Sequence, residues 1–425
     1  MSSTHILLTV LLIILQFVIP RKWAFLPLLI AGLHTSSLQV IPSFSTARLI
    51  IFFGMARIIL TGQLSWSRSN PIDKIMFFWG FVCILSSIGH DPTSGNPWVI
   101  RARMAFDVVG TYLYAKAYLK DFDDYKRLAK AACFASIPLA LGMTYTKLTG
   151  GFNIYSLFGG SNFLLVRNGT ARAIGPFGTP ILAGTIGALL IPTIITIWNE
   201  NKKTAILGII SCMGIVLSAG SSTPIGALII CSWALMLWRW RQYTGKITAL
   251  CVSMLIFIQL VKDRPVWYLI AITDFVGGST GWHRAYLIDM AVRYFDEWWL
   301  WGSDYTRHWM PYGLPSVPEH CDLTNYYINL GVFGGVPLML ALILVIVKSF
   351  KIIRMKIREF RPVDTRQEFL TWTVGSLLFT HTLTCLTISY FDQSYIIFYF
   401  LIAFIANLKD VPPEEELLPN QAVAA

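Results

Sequence analysis

Apolar runs of about 20 residues recur from one end of this 425-residue chain to the other, separated by mostly short connections. A helix rises about 1.5 Å per residue, so roughly 20 mainly apolar residues cross the ~30 Å hydrocarbon core of a bilayer. In lipid every backbone N–H and C=O must be satisfied within the segment or by closing a barrel, and these runs are too long and too uniformly apolar for barrel strands. The expected fold is therefore an all-α, polytopic transmembrane helical bundle of about 12–13 spans. Composition points the same way: 55% of residues are hydrophobic and 13% charged, whereas a soluble domain carries roughly 25% charged residues.

The pattern predicts spans over 5–19, 23–41, 44–62, 71–88, 101–120, 128–147, 179–198, 204–219, 223–240, 247–261, 324–349, 369–389 and 394–408. The first lacks a basic leader and is followed by Arg21-Lys22 and more apolar sequence, so it reads as a retained helix rather than a signal peptide. Lys and Arg in short loops mark the cytoplasmic side. Arg21-Lys22, Arg68, Lys126-Arg127, Lys202-Lys203, Arg239 with Arg241 and Lys246, and the basic run from Lys348 to Arg366 form that set. The 41–44 turn, the loops 89–100 and 148–178, the GSST turn near 220–223 and the long 262–323 loop form the external set. Four regions follow: N-terminal spans to 261 with a loop near 148–178, a long external loop over 262–323, C-terminal spans over 324–408, and a cytoplasmic tail over 409–425. With all the spans counted the N-terminus lies outside; with one fewer it lies inside. The net charge of +11 is scattered between spans rather than gathered on one face, which argues against a nucleic-acid partner. The cysteines show neither zinc spacing nor a disulfide framework.

Two external loops, of about thirty and about sixty residues, exceed the roughly 12–15 beyond which a loop in a compact protein is usually functional or disordered. Their aromatic content argues against disorder. Within the longer one, RAYLIDMAVRYFDEWWLW places Tyr286, Met290, Tyr294 and Trp298 at near-helical spacing, with Trp299 and Trp301 beyond, which predicts a helix on the membrane interface. The plainer reading is aromatic anchoring, since Trp and Tyr collect at any membrane–water boundary.

Candidate chemistry sits in the same loops. After Lys147 the 148–178 loop carries only Arg167 and Arg172 as charges, and Arg172 opens RAIGPFGTP. A guanidinium offers five donors in a fixed fork that matches phosphate oxygens, so Arg172 is a candidate phosphate clamp with Arg167 in support; the alternative is an arginine that snorkels to lipid phosphates. Arg284 follows a Gly277-Gly278 turn at the start of the expected interfacial helix and is a second clamp candidate. A cation there opposes the helix dipole unless an anion joins it. His320, in PEHCD just before a span, could accept a proton from a hydroxyl at ambient pH, with Glu319 or Asp322 orienting the ring. His283 and His308 compete for that role, and a loop histidine is commonly just a surface residue. Nucleotide, zinc-protease, serine-nucleophile, DxD and CxxC motifs are absent, so the expected mechanism uses no metal and no cofactor.

The order of these features resembles the O-antigen ligase and polymerase superfamily. The resemblance rests on RAIGPFGTP (172–180), AGSSTPIGAL (219–228), GWHRAYLIDMAVRYFDEWWLWGSD (281–304) and HCDLTNYYINLGVFGG (320–335), and the hydropathy profile extends it over most of the chain. It implies a metal-independent, GT-C-like glycosyltransferase of the bacterial inner membrane. The donor would be a glycan on undecaprenyl diphosphate, and the acceptor a lipid A-core or a growing glycan on the periplasmic side. It also implies that Arg172 and Arg284 hold the diphosphate and that His320 is the base. Two positions depart from the family pattern: Cys321 follows the histidine where Asn is common, and Ser221-Ser222-Thr223-Pro224 replaces a Ser-Arg-Gly turn. The second departure leans towards exopolysaccharide polymerases rather than lipopolysaccharide ligases.

Two other classes compete. A transporter or flippase for a lipid-linked or anionic substrate would draw on Arg48, Arg57, Arg103, Asp107 and Asp392, which lie within or at the ends of spans. A structural subunit that only binds lipid would keep its cellular function in His320→Ala.

Overall fold

The computed structural model describes residues 2–63, 70–92, 95–167, 169–272, 281–311, 313–314 and 317–411. Arg68, the Gly277-Gly278 turn and the tail beyond 411 lie outside the described residues. The fold is 75% helical. The α-helices are α1 (Ser3–Val18), α2 (Leu26–His34), α3 (Thr46–Leu60), α4 (Pro71–Leu85), α5 (Pro97–Tyr118), α6 (Phe122–Thr149), α7 (Pro180–Ile195), α8 (Lys202–Ala219), α9 (Ser222–Met236), α10 (Thr244–Val261), α11 (Gly281–Arg293), α12 (Tyr326–Phe360), α13 (Thr365–Thr384) and α14 (Tyr395–Leu408). Three antiparallel ribbons decorate the connections: β1 (Gln39–Ile41) with β2 (Phe44–Ser45), β3 (Leu165–Arg167) with β4 (Thr170–Arg172), and β5 (Gly313–Leu314) with β6 (Val317–Cys321).

Among the described residues, five helical stretches are long and apolar enough to cross a membrane: Pro71–Gly89, Phe122–Thr149, Lys202–Ala219, Ser222–Val261 and Tyr326–Phe360. Local sequence sets where helices begin. Asn70 accepts from the N–H of Asp73 while the Asp73 carboxylate accepts from the N–H of Asn70, a complete capping box, and Asn96, Asp121, Thr179, Asn201, Asn325 and Asp364 cap α5, α6, α7, α8, α12 and α13. Small residues set how closely helices approach: a Cβ on Gly187 would press on Ile215 of α8.

Apart from α11, successive helices alternate between two ends of the bundle. At one end the Ser36 N–H bonds the Phe158 carbonyl (3.4 Å), Ser37 donates to Asp392 (2.7 Å), the Ala173 N–H bonds Ser218 (3.0 Å) and the Tyr326 N–H bonds Cys385 (2.8 Å). At the other, Asn70 donates to the Ala406 carbonyl (2.8 Å), Asn407 to the Lys116 carbonyl (2.7 Å) and Lys356 to the Val411 carbonyl (2.6 Å). The first end, called here the loop end, carries the start of α1 and the long segments 150–179 and 262–325.

Several expectations need correction. The span expected over 23–41 holds only the nine-residue α2, about 14 Å of helix. A 3₁₀ turn at Arg21–Trp23 delays its start, and the β1–β2 ribbon takes its expected end. The segment expected to be one interfacial helix from Tyr286 to Trp298 is a helix only to Arg293, and Trp298 turns inward to 5% exposure. It packs with Leu287, Met290 and Ala291 of α11 against Ile328 and Val332 of α12, where a Cβ on Gly331 would overlap its ring. α12 itself breaks at Gly334 and Gly335. Gly335 has φ +78, a left-handed value, and lets the Leu300 carbonyl approach; the Trp299 carbonyl accepts from Val336 (2.7 Å) and the Val332 carbonyl from Ser303 (2.8 Å). α10 contrasts with all of this: it has no buried residue and packs chiefly against the turns at its two ends.

The charges within the spans are engaged. Arg48 makes a bidentate pair with Asp107 (2.7 and 2.6 Å), Arg57 donates to the carbonyls of Gln16 and Ile19, and Arg103 bonds the Ser43 hydroxyl. Asp392, at the loop end, accepts from the Gly178 N–H (3.0 Å) as well as from Ser37.

Candidate active site

The Arg172 backbone is held from several sides. The β3–β4 hairpin pairs Leu165 with Arg172 and Arg167 with Thr170. Beyond it, Asn153 donates to the Gly175 carbonyl (2.8 Å), Gln393 to the Pro176 carbonyl (3.2 Å), and Asp392 takes the Gly178 N–H. The end of α8 holds the arginine itself: its Nε donates to the Ala219 carbonyl (3.2 Å). Its Nη2 is buried and has no acceptor among the described residues.

Arg284 sits in the first turn of α11 at 4% exposure, and its buried Nε also lacks an acceptor among the described residues. Burial pushes the proton affinity of both arginines down, and Arg167 lies close enough to each to push it further; Asp322 opposes the shift at Arg284. Both remain cations at working pH. A buried donor without an acceptor costs about 1–3 kcal/mol, and an oxyanion is the kind of acceptor that satisfies a guanidinium N–H. Burial raises the Asp322 carboxyl above its ordinary value, with His283 and Arg284 acting against the rise.

His320 belongs to an adjoining cluster, two residues before Asp322. Thr306, with 0% exposure, brings it into place: its N–H bonds the Glu319 carbonyl (3.0 Å), its Oγ1 accepts from the Cys321 N–H (3.2 Å), and the same Oγ1 lies 3.1 Å from His320 Nδ1. Thr306 hangs on the strap 299–306 that docks into the break of α12. Asp304 ties that strap to the α4–α5 connection, where it accepts from the Asp91 N–H (2.8 Å) and pairs with His90; the other His90 nitrogen lies 2.9 Å from the Trp301 carbonyl. Burial lowers the His320 pKa below 6.5, with His90 adding to that and the carboxylates of Asp304 and Glu319 opposing it. The ring is thus neutral at neutral pH and suited to taking a proton.

The fold therefore brings Arg167, Arg172, Arg284 and Asp322 into one charged group, and His320 into a neighbouring one. It does not make Glu319 or Asp322 the ring's hydrogen-bonding orienter. The Glu319 side chain is exposed, and Asp322 acts on Arg284 while its carbonyl lies 3.2 Å from His283 Nε2. That role falls to Thr306, whose hydroxyl is the nearer partner. Of the competing histidines, His308 bonds Glu297 (3.0 Å). Sequence reasoning missed Thr306, Asp304 and His90. No local signal marks them, because His90 and Asp304 are 214 residues apart and Thr306 sits in an irregular stretch.

Comparison of the chain with protein-family models, with curated proteins and with solved structures returns no match.

Proposed function

We propose that this protein is an inner-membrane glycosyltransferase of the O-antigen ligase or polysaccharide polymerase type. It moves a glycan from undecaprenyl diphosphate to an acceptor hydroxyl of a lipid A-core or a growing glycan, at a site facing the periplasm. The observation that carries the reading is that Arg167 acts on both Arg172 and Arg284, each of which has a buried N–H without an acceptor among the described residues, while a neutral, half-buried His320 lies two residues before Asp322, the acid that acts on Arg284.

The chemistry follows from charge. As the bond from the anomeric carbon to the diphosphate oxygen breaks, the electron pair stays on the leaving lipid diphosphate and the sugar becomes cation-like. Fixed guanidiniums stabilise that growing charge more than they stabilise the ground state. The acceptor oxygen attacks from the opposite face while its proton passes to His320 Nε2, so the anomeric centre inverts. A transporter would need charges free along a path through the bundle, whereas Arg48 pairs with Asp107 and Arg57 caps the end of α1.

The test is transfer from purified undecaprenyl-diphosphate glycan to candidate acceptors in detergent with EDTA present, comparing Arg172→Ala, Arg284→Ala and His320→Ala. Loss of transfer in all three, with unaltered folding, is expected. Full activity in His320→Ala would remove the base.

A further inference from the structure

We infer that Thr306 is the positioning residue of this site: its hydroxyl holds the His320 ring through Nδ1–H and so leaves Nε2 bare, as the atom that takes the acceptor's proton. This rests on the reading of His320 as the base.

A neutral imidazole carries one N–H and one lone-pair nitrogen, and the hydrogen bond made by one nitrogen decides the state of the other. Among the described residues the hydrogen-bond partner of the ring is Thr306 Oγ1, 3.1 Å from Nδ1, and no hydrogen bond to Nε2 is formed. A threonine hydroxyl has two lone pairs and one proton. One lone pair receives the Cys321 N–H at 3.2 Å. In the arrangement we infer, the second receives Nδ1–H and the hydroxyl proton turns to Cys321 Sγ, 3.6 Å away, in place of the thiol S–H that otherwise donates to the same oxygen. In the opposite arrangement the hydroxyl donates to Nδ1, Nε2 carries the proton, and the ring cannot act as a base.

Thr306 suits this role because it cannot wander. It is fully buried, its own N–H is paired to the Glu319 carbonyl, and the strap before it is tied by Asp304 to His90 and the Asp91 N–H. The strap is thus anchored to the helix bundle, and the ring is held by a residue 14 positions away rather than by its carboxylate neighbours.

The test uses full-length protein labelled with ¹⁵N-histidine in lipid nanodiscs, with the His320 signals identified by their loss in His320→Gln. At neutral pH the imidazole nitrogens of His320 should show a protonated Nδ1 and a bare Nε2. Thr306→Ser should keep that pattern; Thr306→Val, which removes the hydroxyl at nearly constant shape, should mix the two tautomers. In the transfer assay Thr306→Val should lower kcat by about 10²-fold with KM little changed, and Thr306→Ser should recover most of the rate. A protonated Nε2 in the unsubstituted protein overturns the inference without any variant having to fold. A tautomer unmoved in Thr306→Val overturns it as well. A tautomer that shifts while transfer stays unchanged would uphold the hold on the ring and instead sink the assignment of His320 as the base.

Discussion

The two ends of the bundle handle positive charge in opposite ways. At the end opposite the loops, cations meet carboxylates. Glu200 lies 2.9 Å from Lys126 and from Arg366 and 3.4 Å from Lys130; Glu368, with 0% side-chain exposure, takes Arg241 and Arg361 at 2.9 Å each; Asp73 pairs with Lys116. At the loop end, Arg167 acts on both Arg172 and Arg284, Asp322 is the one acid among the described residues that acts on Arg284, and buried N–H groups of Arg172 and Arg284 lack acceptors among those residues. The first arrangement joins α4 to α5, and α6, α13 and the end of α12 to the α7–α8 and α9–α10 connections, through charges that neutralise one another. The second leaves charge in reserve, and uncompensated charge held in a fixed place is what an anionic ligand requires.

Breaking the loop end should have the largest effect. Arg284→Ala should reduce transfer by about 10²–10³-fold, and Arg284→Lys should restore only part of it, because an ammonium is a point charge without the guanidinium fork. Initial rates on the lipid-diphosphate donor decide this; rates within threefold of the unsubstituted protein would end the idea that these donors serve a ligand. Next comes the scaffold of that end. Gly335→Ala places a Cβ against the Leu300 carbonyl at φ +78 and should cost about 2–3 kcal/mol of local stability, read as a lower unfolding temperature in detergent together with slower transfer.

The paired end should respond differently. Glu368→Gln leaves Arg241 and Arg361 without their carboxylate, but their side chains are 29% and 40% exposed, so solvent screens the loss to about 1–2 kcal/mol. Thermal unfolding should register it, while transfer per folded molecule stays unchanged; a fall in specific activity would mean that the ends are coupled. Asp322→Asn removes the acid that competes for Arg284 and should tighten inhibition by inorganic pyrophosphate about threefold. The last effect is a displaced pH profile. Burial lowers the folded pKa of His320 below 6.5, so the neutral base is present above that lowered value, and transfer should hold down to pH 6.5 and fall only below it. An acid limb at or above 6.5, or one that persists in His320→Gln, would assign the titration to another group.

Much of the helical pattern is legible in the sequence because lipid is an unforgiving solvent. Residues 71–88 and 204–219 match α4 and α8 to within a few residues, and Asn70 and Asn201 mark their starts. The pattern failed where the backbone departs from regular helix for tertiary reasons. Residues 23–41 read as one span but hold the end of a 3₁₀ turn, a short helix and a ribbon strand. The stretch from Tyr286 to Trp298 has the spacing of an interfacial helix, yet Trp298 gains more by filling the notch at Gly331 than by lying at a surface. No periodicity can report such a notch, because it is formed by another helix.

The same division holds for the site. By itself the sequence determined that Arg167, Arg172, Arg284 and His320 lie in long polar connections between apolar segments, because charged groups are expelled from lipid unless paired. Which of them meet was decided only by the tertiary structure. The end of α8 receives Arg172, α11 turns Arg284 inward, and the break at Gly334 and Gly335 admits the strap that brings Thr306 to His320. The physical reason is range: the apolar pattern acts between each residue and its solvent and can be read locally, whereas a hydrogen bond or an ion pair exists only once the chain has brought its two halves together.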